Sequence, residues 1–178
     1  MKEDKQTGGL SLKAKLLSML AKREYSRAEI EQKIWAWLKR QKYLEALKNE
    51  TEYFAEELEP DVMAELGGIL DEFEKRGWLS DERYIESLLN QKSHRLGVNR
   101  LKQELKTKGV TEDLMQEALE NLSATEFSRG YEVWERKFKV LPTDAKSYQK
   151  QMRFLLYRGF STEVAKKILS KTEMNHDN

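Results

Sequence analysis

The sequence predicts an all-α protein, on three observations. Apolar residues recur at helical spacing nearly throughout, and no stretch alternates apolar and polar residues over a useful length. With 2 Pro and 9 Gly in 178 residues, few forced turns interrupt the chain. A short joint of one grammar also recurs, in which Gly precedes an apolar residue and a hydroxyl residue.

Each predicted element has its own apolar face. Leu12, Leu16, Met19 and Leu20 form the first stripe. Ile30, Ile34, Trp37 and Leu38 form the second, after Ser26-Arg27-Ala28-Glu29, which reads as a capping box. Val62, Leu66, Ile69, Leu70 and Phe73 follow, then Tyr84, Leu88 and Leu89, then Leu101 and Leu105. Leu114, Ala118, Leu119 and Leu122 make the next stripe. An aromatic stripe follows at Phe127, Tyr131, Trp134 and Phe138. Tyr148, Met152, Leu155 and Leu156, then Val164, Ile168 and Leu169, complete the series. Ser80, Thr111 and Ser161 each place a hydroxyl at an N-cap, with acids in the first turn where the helix dipole favours them. Gly77, Gly109 and Gly159 suit the position just past the preceding helix.

The joints are a repeat. Lys108-Gly109-Val110-Thr111 and Arg158-Gly159-Phe160-Ser161 share one pattern, with Leu105 matching Leu155 and Leu114 matching Val164. Units this small bury their faces only against neighbours, which points to a modular helical array. The parse is three modules of three helices: residues 10–77, carrying an extra stretch near Tyr43 to Glu59, then 79–122, then 124–171. Met1 to Gly9 and Thr172 to Asn178 read as frayed tails.

Composition excludes several functions. With 0 Cys there is no disulfide framework, thiolate nucleophile or Cys-ligated zinc. The 2 His, His94 and His176, have no partner motif, so no metal ligand set is read. No Gly-rich phosphate loop or nucleophile elbow is present, and no catalytic residue or cofactor is expected. No apolar run is long enough to span a membrane, and the N-terminus lacks a signal peptide's apolar stretch, so the expected location is the cytoplasm.

Net charge is +1, but the charge is segregated. Asn49 to Glu74 holds acids and no Lys or Arg, whereas Lys92 to Lys108 and Arg136 to Arg158 are strongly basic. Such segregation points to a polyanion or a partner of mixed charge, the competing reading being solvated helix faces.

Several segments, taken in order, resemble the RecX family, regulatory proteins that modulate RecA recombinase. These are Lys22-Arg23-Glu24-Tyr25-Ser26-Arg27-Ala28-Glu29, Leu79-Ser80-Asp81-Glu82-Arg83-Tyr84, Gly97-Val98-Asn99-Arg100-Leu101, Glu104 to Val110, and Arg153 to Ser161. The resemblance runs from about Leu17 to Leu169 and rests on order and spacing more than on any one motif. Ser80 stands where Asp is more usual, Tyr84 for Phe and Leu101 for Ile, and the acidic region is the larger departure. The resemblance implies three tandem three-helix modules in an elongated, curved array. It also implies binding to the RecA–single-stranded DNA filament and inhibition of strand exchange and ATP hydrolysis, and the chain is expected to act as a monomer. The family acts by groove occupancy or by capping and disassembly of the filament, in DNA repair, homologous recombination and the SOS response.

Two basic groups are the candidate contacts. Lys92, Arg95, Arg100, Lys102 and Lys106 gather around the Gly97 turn and the helix after it. Lys146, Lys150 and Arg153 run at i, i+4, i+7 along another helix. Cations so placed meet phosphates or partner carboxylates, giving weak, non-specific, salt-sensitive DNA affinity. For Lys108 and Arg158 the helix dipole is explanation enough. Trp37, Phe73, Phe127, Tyr131, Trp134 and Phe138 are assigned to the core, and Trp78 and Phe160 to plugs at helix joints. The rival functions are a helix-turn-helix DNA-binding module and an adaptor for a different protein.

Overall fold

The computed structural model describes residues 11–51 and 60–170. Both predicted tails, and residues 52–59 of the acidic stretch, lie outside them. Among the described residues every regular element is a helix. They are α1 (Leu12–Leu20), α2 (Arg27–Lys48), α3 (Pro60–Lys75), α4 (Asp81–Lys92), α5 (Val98–Thr107), α6 (Glu112–Ser123), α7 (Glu126–Phe138), α8 (Ala145–Tyr157) and α9 (Thr162–Leu169). The chain divides into two compact units, Met1–Tyr84 and Ile85–Asn178, with the division inside α4.

The three glycine joints explain how helices follow one another so closely. Gly77, Gly109 and Gly159 all have positive φ. After α3, the Trp78 N–H donates to the Phe73 carbonyl and the Gly77 N–H to that of Glu74. The same pair of bonds recurs at Val110 to Leu105 with Gly109 to Lys106, and at Phe160 to Leu155 with Gly159 to Leu156. Each is a Schellman motif, which satisfies carbonyls that a helix end leaves open. The following N-cap then opens the next helix. Ser80 accepts from the Arg83 N–H and Ser161 from that of Val164, but Thr111 makes no side-chain cap bond. An additional cap is local to α8, where Asp144 and Ser147 form a reciprocal capping box.

In the first unit α1 contributes Leu16 and Met19, α2 Ile30 and Ile34, and α3 Leu66, Leu70 and Phe73 to one core, closed by Tyr25 and Leu79. Full burial of each such side chain contributes about 1.5–3 kcal/mol. Ser26 caps α2 by accepting from the Glu29 N–H, and the buried Glu29 carboxylate takes both terminal nitrogens of Arg23. Trp35 packs against this core, whereas Trp37 is half-buried with the Lys15 ammonium 5.7 Å from its ring centre. The core face of α2 keeps Ile30, Ile34 and Leu38 but takes Trp35 in place of Trp37, and its last two turns expose Tyr43, Leu44 and Leu47.

In the second unit α5 buries Leu101 and Leu105. On α6 the buried pair is Met115 and Leu119, with Leu114 only half-buried. Val133 and Trp134 of α7, Leu155 of α8, Phe160, and Ala165, Ile168 and Leu169 of α9 form the last core cluster. Phe127, Tyr131 and Phe138 pack at its margin. Gln151 links the helices internally, accepting from the Trp134 indole at 2.6 Å and donating to the Val140 carbonyl. Phe160 is a core residue as well as a joint plug, but Trp78 stays 42% exposed against Phe73.

One device occurs in both units. The first residue of α4, Asp81, accepts from the N–H of Arg27, the first residue of α2, at 2.8 Å. The first residue of α7, Glu126, accepts from the N–H of Val98, the first residue of α5, at 2.8 Å. Gly97 has no side chain to cap α5, so a later helix supplies the acceptor.

This device gives a pH-dependent prediction. Burial pushes the Asp81 carboxyl above its ordinary range, opposed by the Arg27 N–H and reinforced by the neighbouring Glu82 charge. A raised acid carries stability present below its unfolded pKa and lost as pH rises through the folded value. Asp81→Asn keeps an acceptor without the charge. It is expected to match the native protein below about pH 4 and to exceed it at neutral pH. Asp81→Ala, with no acceptor, is expected to lose about 1 kcal/mol. Urea unfolding at both pH values checks this, and an Asn variant weaker than native at pH 7 contradicts it.

Candidate partner-binding surface

The basic residues around the Gly97 turn are positioned by an anchored loop. Arg129 of α7 reaches across and donates to the carbonyls of Ser93 at 2.6 Å, Leu96 at 2.9 Å and Leu122 at 2.9 Å. Burial depresses the Arg129 pKa, partly offset by the Glu126 charge. Its role was not foreseeable from spacing, because its partners are backbone carbonyls far along the chain. Gly97 and Gly159 bring two joints into direct backbone contact: the Gly97 N–H donates to the Arg158 carbonyl at 2.9 Å and the Asn99 N–H to the Gly159 carbonyl at 3.1 Å.

On this frame the first predicted group divides. Lys92 pairs with Glu104, and Lys102 with Glu112. The Lys102 hydrogen bond holds the Glu112 carboxyl below its ordinary range, and the charges of Lys102 and Lys106 add to the effect. Lys106 is exposed on the same helix. Arg100 is exposed and reaches Gln103 at 3.4 Å. Arg95 is exposed in the turn between α4 and α5. The α5 face is thus a mixed-charge surface, because its cations alternate with Glu104 and Glu112.

The second group is purely basic. Lys146, Lys150 and Arg153 are exposed on α8, and among the described residues none of them forms an ion pair. The Arg153 Nε donates to the Gln149 carbonyl of its own helix at 3.4 Å. Tyr157, one turn beyond Arg153, is 81% exposed. Asp144, the nearest acid in sequence, is occupied at the N-cap, where the Ser147 N–H holds its carboxyl below the ordinary range.

The structure also gathers four cations from separate elements. Arg95, Arg136, Lys137 and Arg158 line a cleft of about 250 Å³ with Val133 and Phe154. Only Arg95 belongs to the group expected from sequence. His94 sits in the same exposed turn, where its carbonyl accepts from Arg136 at 3.4 Å. No group of three or more His, Asp or Glu side chains that could hold a metal occurs among the described residues, and no helix there is long and apolar enough to cross a membrane.

Comparison with known proteins supplies the remaining finding. Residues 80–119 match the family described as "RecX, second three-helix domain", and residues 124–169 match "RecX, third three-helix domain". A "Regulatory protein RecX" from Leptothrix cholodnii is 37% identical over 170 residues, covering 94% of this chain and 93% of the relative. One of the same name from Ralstonia nicotianae is 36% identical, covering 90% and 87%. The crystal structure of RecX from Lactobacillus salivarius is similar in fold, with a TM-score of 0.64 at 17% identity, covering 89% of this chain and 92% of that one.

Proposed function

The chain belongs to the RecX family, and on that premise we propose that it regulates a RecA recombinase by binding the RecA–single-stranded DNA filament. It is a regulator and no enzyme. It needs no cofactor of its own, since the ATP involved is the recombinase's. It acts in the cytoplasm as a monomer built of three tandem modules, and it lies in the groove that a second DNA strand must enter. Occupying that groove lowers strand exchange and the ATP hydrolysis coupled to it.

The observation that carries this reading is the α8 face, where Lys146, Lys150 and Arg153 form no ion pair among the described residues. Unpaired cations at helical spacing gain most from an anionic partner, because nothing must be broken before they engage it. The paired cations Lys92, at the end of α4, and Lys102, on α5, suit a partner of mixed charge instead, since ion pairs reached by solvent contribute little and exchange readily.

The test is steady-state ATP hydrolysis by RecA on single-stranded DNA during titration with this protein. The expected result is inhibition that persists when excess duplex DNA is added. Relief of inhibition by the competitor identifies a DNA-binding module instead. Unchanged hydrolysis at all ratios rules out RecA as the target and leaves the adaptor reading.

A further inference from the structure

We propose that the cleft lined by Arg95, Arg136, Lys137 and Arg158 is a seat for a backbone phosphate of single-stranded nucleic acid. It rests on the nucleic-acid side of the reading above but names a site of which only Arg95 belongs to the two basic groups. The four cations come from the α4–α5 turn, from α7 and from the end of α8. Folding, not sequence adjacency, brings them together.

Their charge is not spent locally. Among the described residues the one carboxylate within ion-pair reach of the set is Glu132, 3.8 Å from Arg136, and both side chains are largely exposed. Among the described residues Arg95 and Lys137 make no side-chain hydrogen bond or ion pair. Arg136 and Arg158 each donate to a carbonyl of the same turn, His94 at 3.4 Å and Arg95 at 3.3 Å. The Arg136 Nε also donates to the Glu132 carbonyl of its own helix at 3.2 Å. These bonds orient the two guanidiniums and leave the remaining N–H donors of each for a ligand. The Arg158 guanidinium also lies 5.2 Å from the centre of the Phe154 ring, which fixes its plane.

Three planar forks and one ammonium around a small cavity suit an anion with several equivalent oxygens. At about 250 Å³ the cleft is smaller than the roughly 300–1,000 Å³ of pockets that enclose a whole organic ligand. It fits a charged group on a chain passing over it. The exit is marked as well. Lys146, Lys150, Phe154 and Arg158 follow one another at i, i+4 along α8 and its C-cap, so cations stand on one face at steps of about 6 Å and then about 12 Å leading to the cleft. A recurring charge calls for a polymer of recurring phosphates rather than a lone anion.

The experiment uses the full chain without recombinase, so failure of this proposal and failure of the filament reading give separate signatures. Binding of a fluorescein-labelled oligothymidylate is followed by anisotropy over a salt series. Arg136→Gln with Lys137→Gln is expected to weaken binding about tenfold. It should also reduce the slope of log K against log salt by about 1.4, at about 0.7 per lost contact to a single strand. Lys39→Gln with Arg40→Gln removes the same charge from the exposed face of α2 and is expected to change the slope little. Lys137→Gln alone, at a side chain that makes no hydrogen bond or ion pair among the described residues, covers the case in which the double variant misfolds, and is expected to give half the change in slope. Equal losses for the α7 and α2 pairs, or none for either, overturn the proposal. So does a poly-glutamate peptide that binds more tightly than the oligonucleotide and depends on the same two residues, because the seat then serves carboxylates.

Discussion

Gly159→Ala is expected to destabilise the second unit by about 2–5 kcal/mol, whereas Gly77→Ala, at the equivalent joint of the first, costs only about 1–2. Both glycines have positive φ, at +86° and +69°, so alanine at either meets the left-handed penalty of about 1–2 kcal/mol. They differ in what surrounds them. A Cβ on Gly77 has nothing within 4 Å, but one on Gly159 would lie 2.3 Å from the Arg100 Cβ and 2.4 Å from its backbone nitrogen. Backbone cannot swing aside, so an overpacking term of about 1–3 kcal/mol is added. Gly97→Ala isolates that second term. Its φ is −77°, yet its Cβ would stand 2.2 Å from the Phe160 nitrogen. Each kcal/mol lowers the melting temperature of a domain of 60–100 residues by roughly 4–8 °C. Calorimetry resolves these differences easily, and equal losses at Gly77 and Gly159 contradict the close approach.

Reversing the α8 face, with Lys146→Glu, Lys150→Glu and Arg153→Glu together, is expected to raise the concentration for half-inhibition of RecA ATP hydrolysis more than tenfold. That is at least about 1.4 kcal/mol of lost binding. The reversed side chains lie on an exposed face, so far-ultraviolet circular dichroism is expected to be unchanged. Lys102→Glu with Lys106→Glu is expected to weaken inhibition less. Lys102 is already paired with Glu112, so the native charge that a partner feels there is smaller. A larger effect from the α5 pair transfers the principal contact to that helix. Native inhibition by both variants removes both faces from the interface.

Local features of this chain were legible because they are written within one helix turn. The glycine joints were readable from Gly77, Gly109 and Gly159, each followed within three residues by a hydroxyl cap. The stripes gave the helices, with an error of one residue where two apolar neighbours compete, as at Leu114 and Met115, and of two where Trp35 replaces Trp37. Periodicity tells which face is apolar but not which of two adjacent residues points inward. What spacing could not reveal was non-local. Asp81 and Glu126 look like ordinary first-turn acids, yet each caps a different helix. Arg129 and Gly97 act on backbone from other elements. The same holds for the surface. The α8 stripe is readable as i, i+4, i+7, but the pairing of Lys102 with Glu112 depends on how α5 meets α6, and the four-cation cleft needs three elements at once.

The two borrowed caps carry a consequence for synthesis. α2 begins at Arg27, but its acceptor is translated 54 positions later, and α5 at Val98 waits 28 positions for Glu126. A nascent chain leaving the ribosome therefore carries helices with one opening N–H still lacking its acceptor until the following segment emerges, although at α2 the Ser26 hydroxyl already holds the Glu29 N–H. Each stretch of translation latches the one before it. A product that terminates just before Asp81 lacks the acceptor of the Arg27 N–H, and one that terminates just before Glu126 lacks that of the Val98 N–H, in each case at a helix start far upstream of the break.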